Sequence, residues 1–358
     1  MQVTRSVGRF AIAIVVAVAW VLCAPGFAQA QPAREPVLQL RIVGGLAGLN
    51  QFTRHEAPFW TRDLPALSAG RVSAEIVPFD RAGIRAQEML RLVQVGAVPF
   101  GTALLSSAAA DVPELLVPDL AGLNPDIDSL RRAVAAFRPY LERLLRERYG
   151  IEALAVYVYP AQVTYCSKPM AGLADLAGRR VRVSSASQAD FVTALGGTPV
   201  QTGFAEIVAN VRSGNVDCAI TGTMSGNAIG LDQVTSSIHT LPISWGLAVF
   251  MANGAAWAAL PADIRAVLRK ELPRLERAIW TESERETAEG IECNTGGPMC
   301  VNARKGRMVA VKATPTDQRR RREIVSGPVL TGWIQRCGPG CAQVWRDTVG
   351  PTLGIPLP

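Results

Sequence analysis

The segment that decides the fold runs from Val181 to Thr221 and reads VRVSSASQADFVTALGGTPVQTGFAEIVANVRSGNVDCAIT. Short apolar runs alternate in it with stretches of helical periodicity, and glycines end the helical stretches. The pattern predicts three strands, at residues 181–184, 198–201 and 216–221, and two helices, at residues 187–195 and 204–212. Consecutive strand–helix units of this kind are typical of an α/β domain with a largely parallel sheet.

Residues 38–150 repeat the same plan. Three predicted strands are separated by helical stretches, at residues 37–44, 71–78 and 97–100, and an amphipathic helix at 125–149 completes this half. A second long helix is predicted from Leu260 to about Gly290, with a bend at Pro273. Two α/β lobes joined by crossing segments form a cleft, and ligands bind in such clefts where parallel strands end. The sequence therefore predicts a two-lobed α/β fold, in which each lobe is a mostly parallel sheet flanked by helices and a long helix spans both lobes.

The N-terminal residues 1–30 have the features of a signal peptide. Arg5 and Arg9 form a basic region, an apolar run follows, and Ala28-Gln29-Ala30 is a small-x-small cleavage site. Cleavage after Ala30 predicts an exported, periplasmic protein and lowers the formal net charge from +7 to +5. An uncleaved N-terminal anchor is the alternative, since the apolar run is only moderately short for a span. No later stretch of the sequence reaches the roughly 18 apolar residues that a membrane span requires.

The remaining positive charge does not indicate a nucleic-acid partner. The densest basic run, Arg319–Arg322, is followed at once by Glu323 and suits a solvated helix face. Nucleic acid is also an uncommon partner outside the cytoplasm, so none is predicted.

Removal of the leader leaves six cysteines, an even number that favours disulfides in an oxidising compartment. Gly/Pro-containing turns separate the members of two pairs, which are predicted disulfides: Cys293 with Cys300 and Cys337 with Cys341. A third bridge, between the other two cysteines Cys166 and Cys218, is a further expectation. A four-cysteine zinc site is the alternative for the C-terminal pairs, but neither has the two-residue spacing typical of such sites. No metal is predicted.

Arg182 is the foremost candidate for ligand binding. It lies between Val181 and Val183 in a short predicted strand, where an arginine is uncommon. A guanidinium can bind a carboxylate through two parallel hydrogen bonds. From its position alone, an edge-strand arginine that points to water is an equally open alternative.

Aromatic and hydroxyl groups supply further pocket candidates. Phe204 opens a predicted helix directly after a strand, and the segment from Thr221 to Gly226 is rich in hydroxyl and backbone N–H groups. Trp245 could stack on a ligand, with core packing as the alternative.

Catalytic motifs are missing from the sequence. His55 and His239 are the only histidines, and no Gly-x-Ser-x-Gly, Walker or His-Glu-x-x-His motif occurs. The hydroxyl-rich segment at Thr221 has no accompanying base. The sequence therefore favours a binding protein over an enzyme and predicts no cofactor.

Several motifs resemble the periplasmic receptors of TRAP transporters, of the DctP type. The central ones are Leu176-Ala-Gly-Arg-Arg-Val-Arg-Val, Ala194-Leu-Gly-Gly-Thr-Pro-Val, Phe204-Ala-Glu and Gly214-Asn-Val-Asp. The resemblance continues at Ser68-Ala-Gly-Arg-Val and Trp257-Ala-Ala-Leu-Pro and covers nearly the whole mature chain. Receptors of this family have the two-lobed fold of periplasmic binding proteins, close on a carboxylate and deliver it to a sodium-driven permease.

The resemblance implies roles for individual residues. The family arginine that binds the ligand carboxylate corresponds to Arg182, and the aromatic residue of the pocket corresponds to Phe204. Thr221 takes the place of a polar ligand contact, and Gln162 stands near the place of a second arginine that is common in the family. The loss of that arginine favours a monocarboxylate with an apolar body over a dicarboxylate or a sialic acid. Trp245 is a further ligand-binding candidate.

Together these observations predict a solute receptor without catalysis, whose partners are a small organic acid and TRAP membrane permease subunits. The predicted lobe I is 38–161 with 247–290, and lobe II is 162–246 with 291–358. The predicted hinge crossings lie near Tyr159–Gln162 and Ser244–Leu247. The alternatives are a ligand sensor that feeds a sensor kinase and an enzyme on a similar two-lobed fold.

Overall fold

Eleven strands and thirteen α-helices make up the part of the chain that the computed structural model describes, residues 37–358. The strands are β1 (Leu38–Gly44), β2 (Val72–Pro78), β3 (Phe100–Leu104), β4 (Ile151–Val158), β5 (Gln162–Cys166), β6 (Arg180–Val183), β7 (Thr198–Gln201), β8 (Cys218–Gly222), β9 (Ser237–Ser244), β10 (Leu247–Asn253) and β11 (Val309–Val311). The predicted signal peptide and its cleavage site after Ala30 lie outside the described residues.

The α-helices are α1 (Leu64–Leu67), α2 (Met89–Gln94), α3 (Leu105–Ala108), α4 (Ile127–Tyr149), α5 (Ala186–Ala194), α6 (Ile207–Arg212), α7 (Thr223–Ile229), α8 (Gly254–Ala258), α9 (Ala262–Thr295), α10 (Pro315–Ile324), α11 (Leu330–Cys337), α12 (Pro339–Asp347) and α13 (Val349–Leu353). Shorter 3-10 segments are Ala86–Glu88, Pro113–Asp119, Leu173–Leu176, Phe204–Glu206 and Leu231–Gln233. Single π-helical turns are Gln51–Glu56, Phe59–Asp63 and Val325–Val329. No helix among residues 37–358 has the length and apolar character needed to cross a membrane.

Two mixed sheets form the centre of the fold. The first has the strand order β2-β1-β3-β10-β4, and the second has the order β11-β9-β5-β8-β6-β7. The pairs β1–β2, β1–β3, β6–β7, β6–β8 and β9–β11 are parallel, as the strand–helix–strand pattern predicts. The antiparallel pairs all involve β5 or β10. These two strands each follow directly on a strand of the other sheet, without a crossover helix, and so enter in the opposite direction.

Two short crossing segments join the sheets. Residues 159–161 lead from β4 of the first sheet into β5 of the second, and Trp245-Gly246 leads from β9 back into β10 of the first. Gly246 has a φ of 76°, in the left-handed region that favours glycine. This conformation interrupts the extended backbone between β9 and β10, so the two are separate strands. Residues 37–358 form one compact unit that contains both sheets.

Helix α9 covers the edge of the first sheet and reaches the second. Its Trp280 Nε1 donates to the Val156 carbonyl at 2.8 Å, and Ser283 Oγ donates to the Val158 carbonyl at 2.6 Å. Glu276 accepts from the Val156 N–H at 2.9 Å. These contacts satisfy backbone groups that edge strand β4 would otherwise expose. Farther along, Gly290 lets the helix pack on α7 so closely that a Cβ there would collide with backbone atoms, so α9 spans both sheets as predicted.

Helix α4 and the C-terminal helices complete the packing. Asp126 caps α4 by accepting from the Ser129 N–H at 2.8 Å, and Gly150 ends it with a φ of 63°. Helix α13 packs against α4 of the first half, whereas α11 packs against α5 of the second. The C-terminal helices therefore contact helices from both predicted lobes.

Three disulfides are present among the described residues: Cys166–Cys218, Cys293–Cys300 and Cys337–Cys341. Cys166 and Cys218 are directly opposite each other on the antiparallel strands β5 and β8. The other two bridges close short loops, with sequence separations of 7 and 4 residues. A disulfide sulfur offers no thiolate, so the zinc alternative for the C-terminal cysteines does not apply in this state.

Candidate functional site

A cavity of about 650 Å³ opens where the parallel strands of both sheets end. Leu46, Phe79 and Ser106 follow β1, β2 and β3, and Ser184, Thr202 and Ser225 follow β6, β7 and β8. The crossing segments also contribute lining residues, Tyr159 and Gly246. This is the position in which α/β folds bind small ligands, because loops from several strands converge there.

Arg182 lies in the wall of this cavity. Side chains alternate along β6, so Val181 and Val183 pack in the core while Arg182 points to the opposite face of the sheet and lines the cavity. Its Nε and Nη2 donate to the Thr202 carbonyl at 3.1 and 2.9 Å, and its Nη1 donates to the Ile220 carbonyl at 2.9 Å. A guanidinium has more N–H groups than these bonds use, so one remains on each terminal nitrogen for a ligand.

The charge of Arg182 is buried without a carboxylate partner. The side chain is 4% exposed, and none of the ion pairs among residues 37–358 involves it. Burial lowers the pKa of Arg182 to about 10, and the charge of Glu206 only partly opposes this shift. Arg182 is therefore protonated at neutral pH. A buried cation of this kind is costly unless an anion pairs with it, which suits the site to a carboxylate.

Three other predicted site residues line the same cavity: Phe204, Thr221 and Gln162. Phe204 is half-buried at the start of the 3-10 segment after β7, and Thr221 is buried near the end of β8. Gln162 is the first residue of β5, where the chain enters the second sheet. The structure thus brings together four of the five residues that the sequence indicates.

Trp245 is the exception, and the structure corrects its predicted place. The side chain is 2% exposed and is not part of the cavity wall. Its indole Nε1 donates to the Asn124 carbonyl at 3.1 Å, and its backbone N–H donates to the Asp119 carboxylate at 3.0 Å. Its neighbour Gly246 lines the cavity instead. Trp245 anchors the second crossing segment in the core, the alternative that the sequence leaves open for its ring.

The apolar part of the wall was not identified from the sequence. It consists mainly of residues from the first half of the chain: Leu46, Leu49, Phe79, Ile84 and Leu104. Each is near the end of a strand of the first sheet, and that position is the signal that could have indicated them. Together with Phe204 they form the apolar part of the cavity wall.

Two buried carboxyl groups lie close to the cavity. Glu56 accepts from the Gly45 N–H at 2.8 Å, and burial raises the pKa of Glu56 to about 7. Burial likewise raises the pKa of Asp119 to about 7, although the N–H groups of Trp245 and Gly246 donate to it. Tyr159 lines the cavity, and burial together with the charge of Glu56 raises its pKa, so its hydroxyl is a donor at neutral pH.

The one potential metal-ligand group among the described residues does not line this cavity. It consists of Glu114, Cys337 and Cys341. Both cysteines are in a disulfide and Glu114 pairs with Arg148 at 2.8 Å, so these side chains already have partners. The cavity itself combines the buried cation, an apolar wall, neutral polar groups and the acidic side chains of Asp80 and Glu206.

The family model for DctP, described as "Bacterial extracellular solute-binding protein, family 7", matches residues 44–301. The match covers the two crossing segments, the Arg182 strand and all of α9. The chain belongs to the DctP family. It is therefore a solute-binding receptor rather than an enzyme, and its family is extracytoplasmic.

Solved structures of similar receptors share the fold. One is DctP7 of Bordetella pertussis, an extracytoplasmic solute receptor binding pyroglutamic acid, with 21% identity, a TM-score of 0.77 and coverage of 87% of this chain and 99% of that one. A TRAP periplasmic solute binding protein from Rhodoferax ferrireducens, with bound malonate, has 19% identity, a TM-score of 0.77 and coverage of 88% and 98%. Another from Shewanella oneidensis, with bound succinate, has 18% identity, a TM-score of 0.75 and coverage of 88% and 99%. This DctP-family chain therefore has the two-lobed fold of TRAP receptors.

Proposed function

We propose that this receptor captures a small organic monocarboxylate with an apolar body in the cavity and delivers it to the membrane subunits of a TRAP permease. The observation that carries the proposal is Arg182, a buried guanidinium with free N–H groups and no carboxylate partner among the described residues. A ligand carboxylate supplies the missing counter-charge, and the fork of N–H groups suits its two oxygens.

The other residues of the cavity wall favour a ligand with a single carboxylate. Arg182 is the one buried arginine of the cavity; Arg85, which also lines it, pairs with Glu88 at the surface. Asp80 and Glu206 also line the cavity and would repel a second anionic group. Leu46, Phe79 and the other apolar wall residues suit an apolar ligand body.

We propose that the ligand binds between two lobes, which close on it. We assign residues 38–161 with 247–290 to lobe I and residues 162–246 with 291–358 to lobe II. Closure of the lobes on the ligand would present a changed surface, which the permease subunits can distinguish from the open form. Export by a signal peptide cleaved after Ala30 is part of the same proposal.

Native mass spectrometry of freshly purified protein, followed by calorimetry on ligand-stripped protein, tests this function. We expect a co-purified small acid and tighter binding of monocarboxylates than of matched dicarboxylates such as malonate and succinate. Tighter binding of the dicarboxylates would overturn the monocarboxylate assignment. Failure of every carboxylate to bind would overturn the receptor role proposed for the cavity.

A further inference from the structure

A chain of hydrogen bonds fixes the orientation of two side-chain amides at the cavity. It starts at the backbone N–H of Ser184, which donates to Gln188 Oε1 at 2.8 Å. A backbone N–H can only donate, so the Gln188 atom that faces it must be the oxygen. The nitrogen of Gln188 is thereby directed away from Ser184.

The same logic applies to the next amide. Gln188 Nε2 donates to Gln162 Oε1 at 2.6 Å and to Ser244 Oγ at 2.7 Å, and Ser244 Oγ donates to Gln162 Oε1 at 3.1 Å. All three contacts are consistent with one set of donors and acceptors. The oxygen of Gln162 is therefore held by Gln188 and Ser244.

The side-chain nitrogen of Gln162 is available to donate to a ligand in the cavity. Among residues 37–358, Gln162 Nε2 takes part in no hydrogen bond, and the side chain lines the cavity. It lies against Gly246, where an added Cβ would be 2.6 Å from Nε2. Strand β8 separates Gln162 on β5 from Arg182 on β6. Gln162 is opposite Gly222 on β8, and Arg182 is opposite Ala219, three residues away along that strand. Both side chains line the cavity, so a ligand that spans the distance between them can contact both.

We propose that Gln162 Nε2 is a fixed hydrogen-bond donor, that the ligand carries a neutral acceptor oxygen there in addition to its carboxylate, and that Gln188 is the positioning residue. The ligand class is then a carboxylic acid with a carbonyl, lactam or hydroxyl oxygen. This inference rests on the proposed function and names the ligand class of the same cavity. The acceptor is neutral because the amide carries no charge and because Asp80 and Glu206 disfavour a second anion.

Matched pairs of acids test the ligand class by calorimetry on ligand-stripped protein. The pairs are pyroglutamate with cyclopentanecarboxylate, 2-oxobutyrate with butyrate, and lactate with propionate. Within at least one pair, we expect the acid with the acceptor oxygen to bind ten-fold or more tightly. A buried donor left without a partner by the other acid is the reason. If carboxylates bind and no pair shows this preference, the inference is overturned while the proposed function stands.

Gln188→Glu tests the positioning role. The Ser184 N–H would still donate to one carboxylate oxygen, but the other oxygen is an acceptor where Nε2 was a donor. Gln162 would then rotate to donate to residue 188 and present its oxygen to the cavity. We expect the preference for the acceptor acid to fall at least ten-fold, or to reverse. This ratio within a pair is a readout that a general loss of stability does not change.

Two further variants keep the test decisive. Gln94→Glu makes the same substitution on the exposed face of α2 and should leave the ratio unchanged. Gln162→Met has similar length without a donor, and it should remove the preference even if Gln188→Glu does not fold. An unchanged ratio in Gln162→Met would overturn the assignment of Gln162 as the donor.

Discussion

Ser244 Oγ donates a hydrogen bond of 3.1 Å to Gln162 Oε1, and this contact ties the two crossing segments together. Gln162 begins β5 after the first crossing, and Ser244 ends β9 before the second. The backbone reinforces the link, since the Tyr159 N–H donates to the Gly246 carbonyl at 3.1 Å. A rotation about one crossing must therefore involve the other. The Gln162 amide is a member both of this link and of the cavity wall.

Arg182→Ala should abolish ligand binding without preventing folding. The loss of a charge-assisted contact in a closed cleft should cost about 2–5 kcal/mol of binding free energy. Arg182→Lys should also fail, because a point charge cannot replace two N–H groups in a plane. Calorimetry with the acid identified by mass spectrometry measures both effects. Near-normal affinity in Arg182→Ala would exclude Arg182 as the carboxylate ligand.

Arg180→Ala is the matched control on the same strand. Arg180 is exposed and pairs with Asp217 at 2.9 Å, outside the cavity wall. Its removal should leave the binding free energy unchanged. Its effect on the free energy of unfolding should be small, as for other exposed ion pairs.

Glu56 should make the protein less stable as the pH rises through the acidic range. Its pKa in the folded chain is about 7, above the ordinary value of 4.5, because burial disfavours the ionised form. The folded state therefore holds this proton more tightly than the unfolded state does. The contribution to the free energy of unfolding is full below pH 4.5, falls as the pH rises to about 7 and is constant above it. Its total size is about 3 kcal/mol.

Urea unfolding of wild type and Glu56→Gln at pH 5 and pH 8 measures this effect. The glutamine can still accept from the Gly45 N–H, and it cannot ionise. The free energy of unfolding should fall less between pH 5 and pH 8 in Glu56→Gln than in wild type, and the difference should be at most about 3 kcal/mol. Glu75→Gln, on the exposed side of β2, should behave as wild type. Identical pH dependence in Glu56→Gln and wild type would contradict the raised pKa.

Loss of the Cys166–Cys218 disulfide should destabilise the fold more than loss of Cys293–Cys300. The first closes a sequence separation of 52 residues and the second a separation of 7. The entropy of loop closure gives about 4 kcal/mol for the longer loop and about 2 kcal/mol for the shorter one. Paired Cys→Ser variants compared by denaturant unfolding test the order. Peptide mapping of unreduced protein should find all three bridges, and the reverse order of stabilities would refute the entropic reasoning.

The sequence predicted the parts of the fold that depend on local pattern. The strand around Arg182, the helix before Gly150 and the long helix through Pro273 all follow from periodicity and end signals within a short window. Phe204 and Thr221 were indicated because they stand near strand ends, and strand ends meet at a cleft. The resemblance to TRAP receptors added the role of Arg182, which position alone left open.

Features that depend on long-range contacts could not be predicted in the same way. Strand β5 lies outside the repeated strand–helix pattern because no helix separates it from β4, although Val163, Thr164 and Tyr165 favour a strand. Strand β9 contains Pro242, a residue that argues against a strand. The direction of the Trp245 ring is set by the Asn124 carbonyl, 121 residues away in sequence. The orientation of the Gln162 amide likewise depends on Ser184 and Gln188, which only the folded chain brings near it.

The receptor should be open without ligand and closed with it. Two sheets joined by the short crossings at Tyr159–Gln162 and Ser244–Leu247 can rotate about them, and a ligand bound to Arg182 on one side and to the apolar wall on the other favours the closed form. Small-angle scattering should show a smaller radius of gyration at saturating ligand. Mass action should add about 2.7 kcal/mol to the free energy of unfolding at a hundredfold excess over Kd. Arg182→Ala at the same ligand concentration should show neither change, because it lacks the contact that holds the carboxylate. An unchanged profile of the wild-type protein at saturation would mean that the crossings are rigid, and delivery to a permease could not then depend on lobe closure.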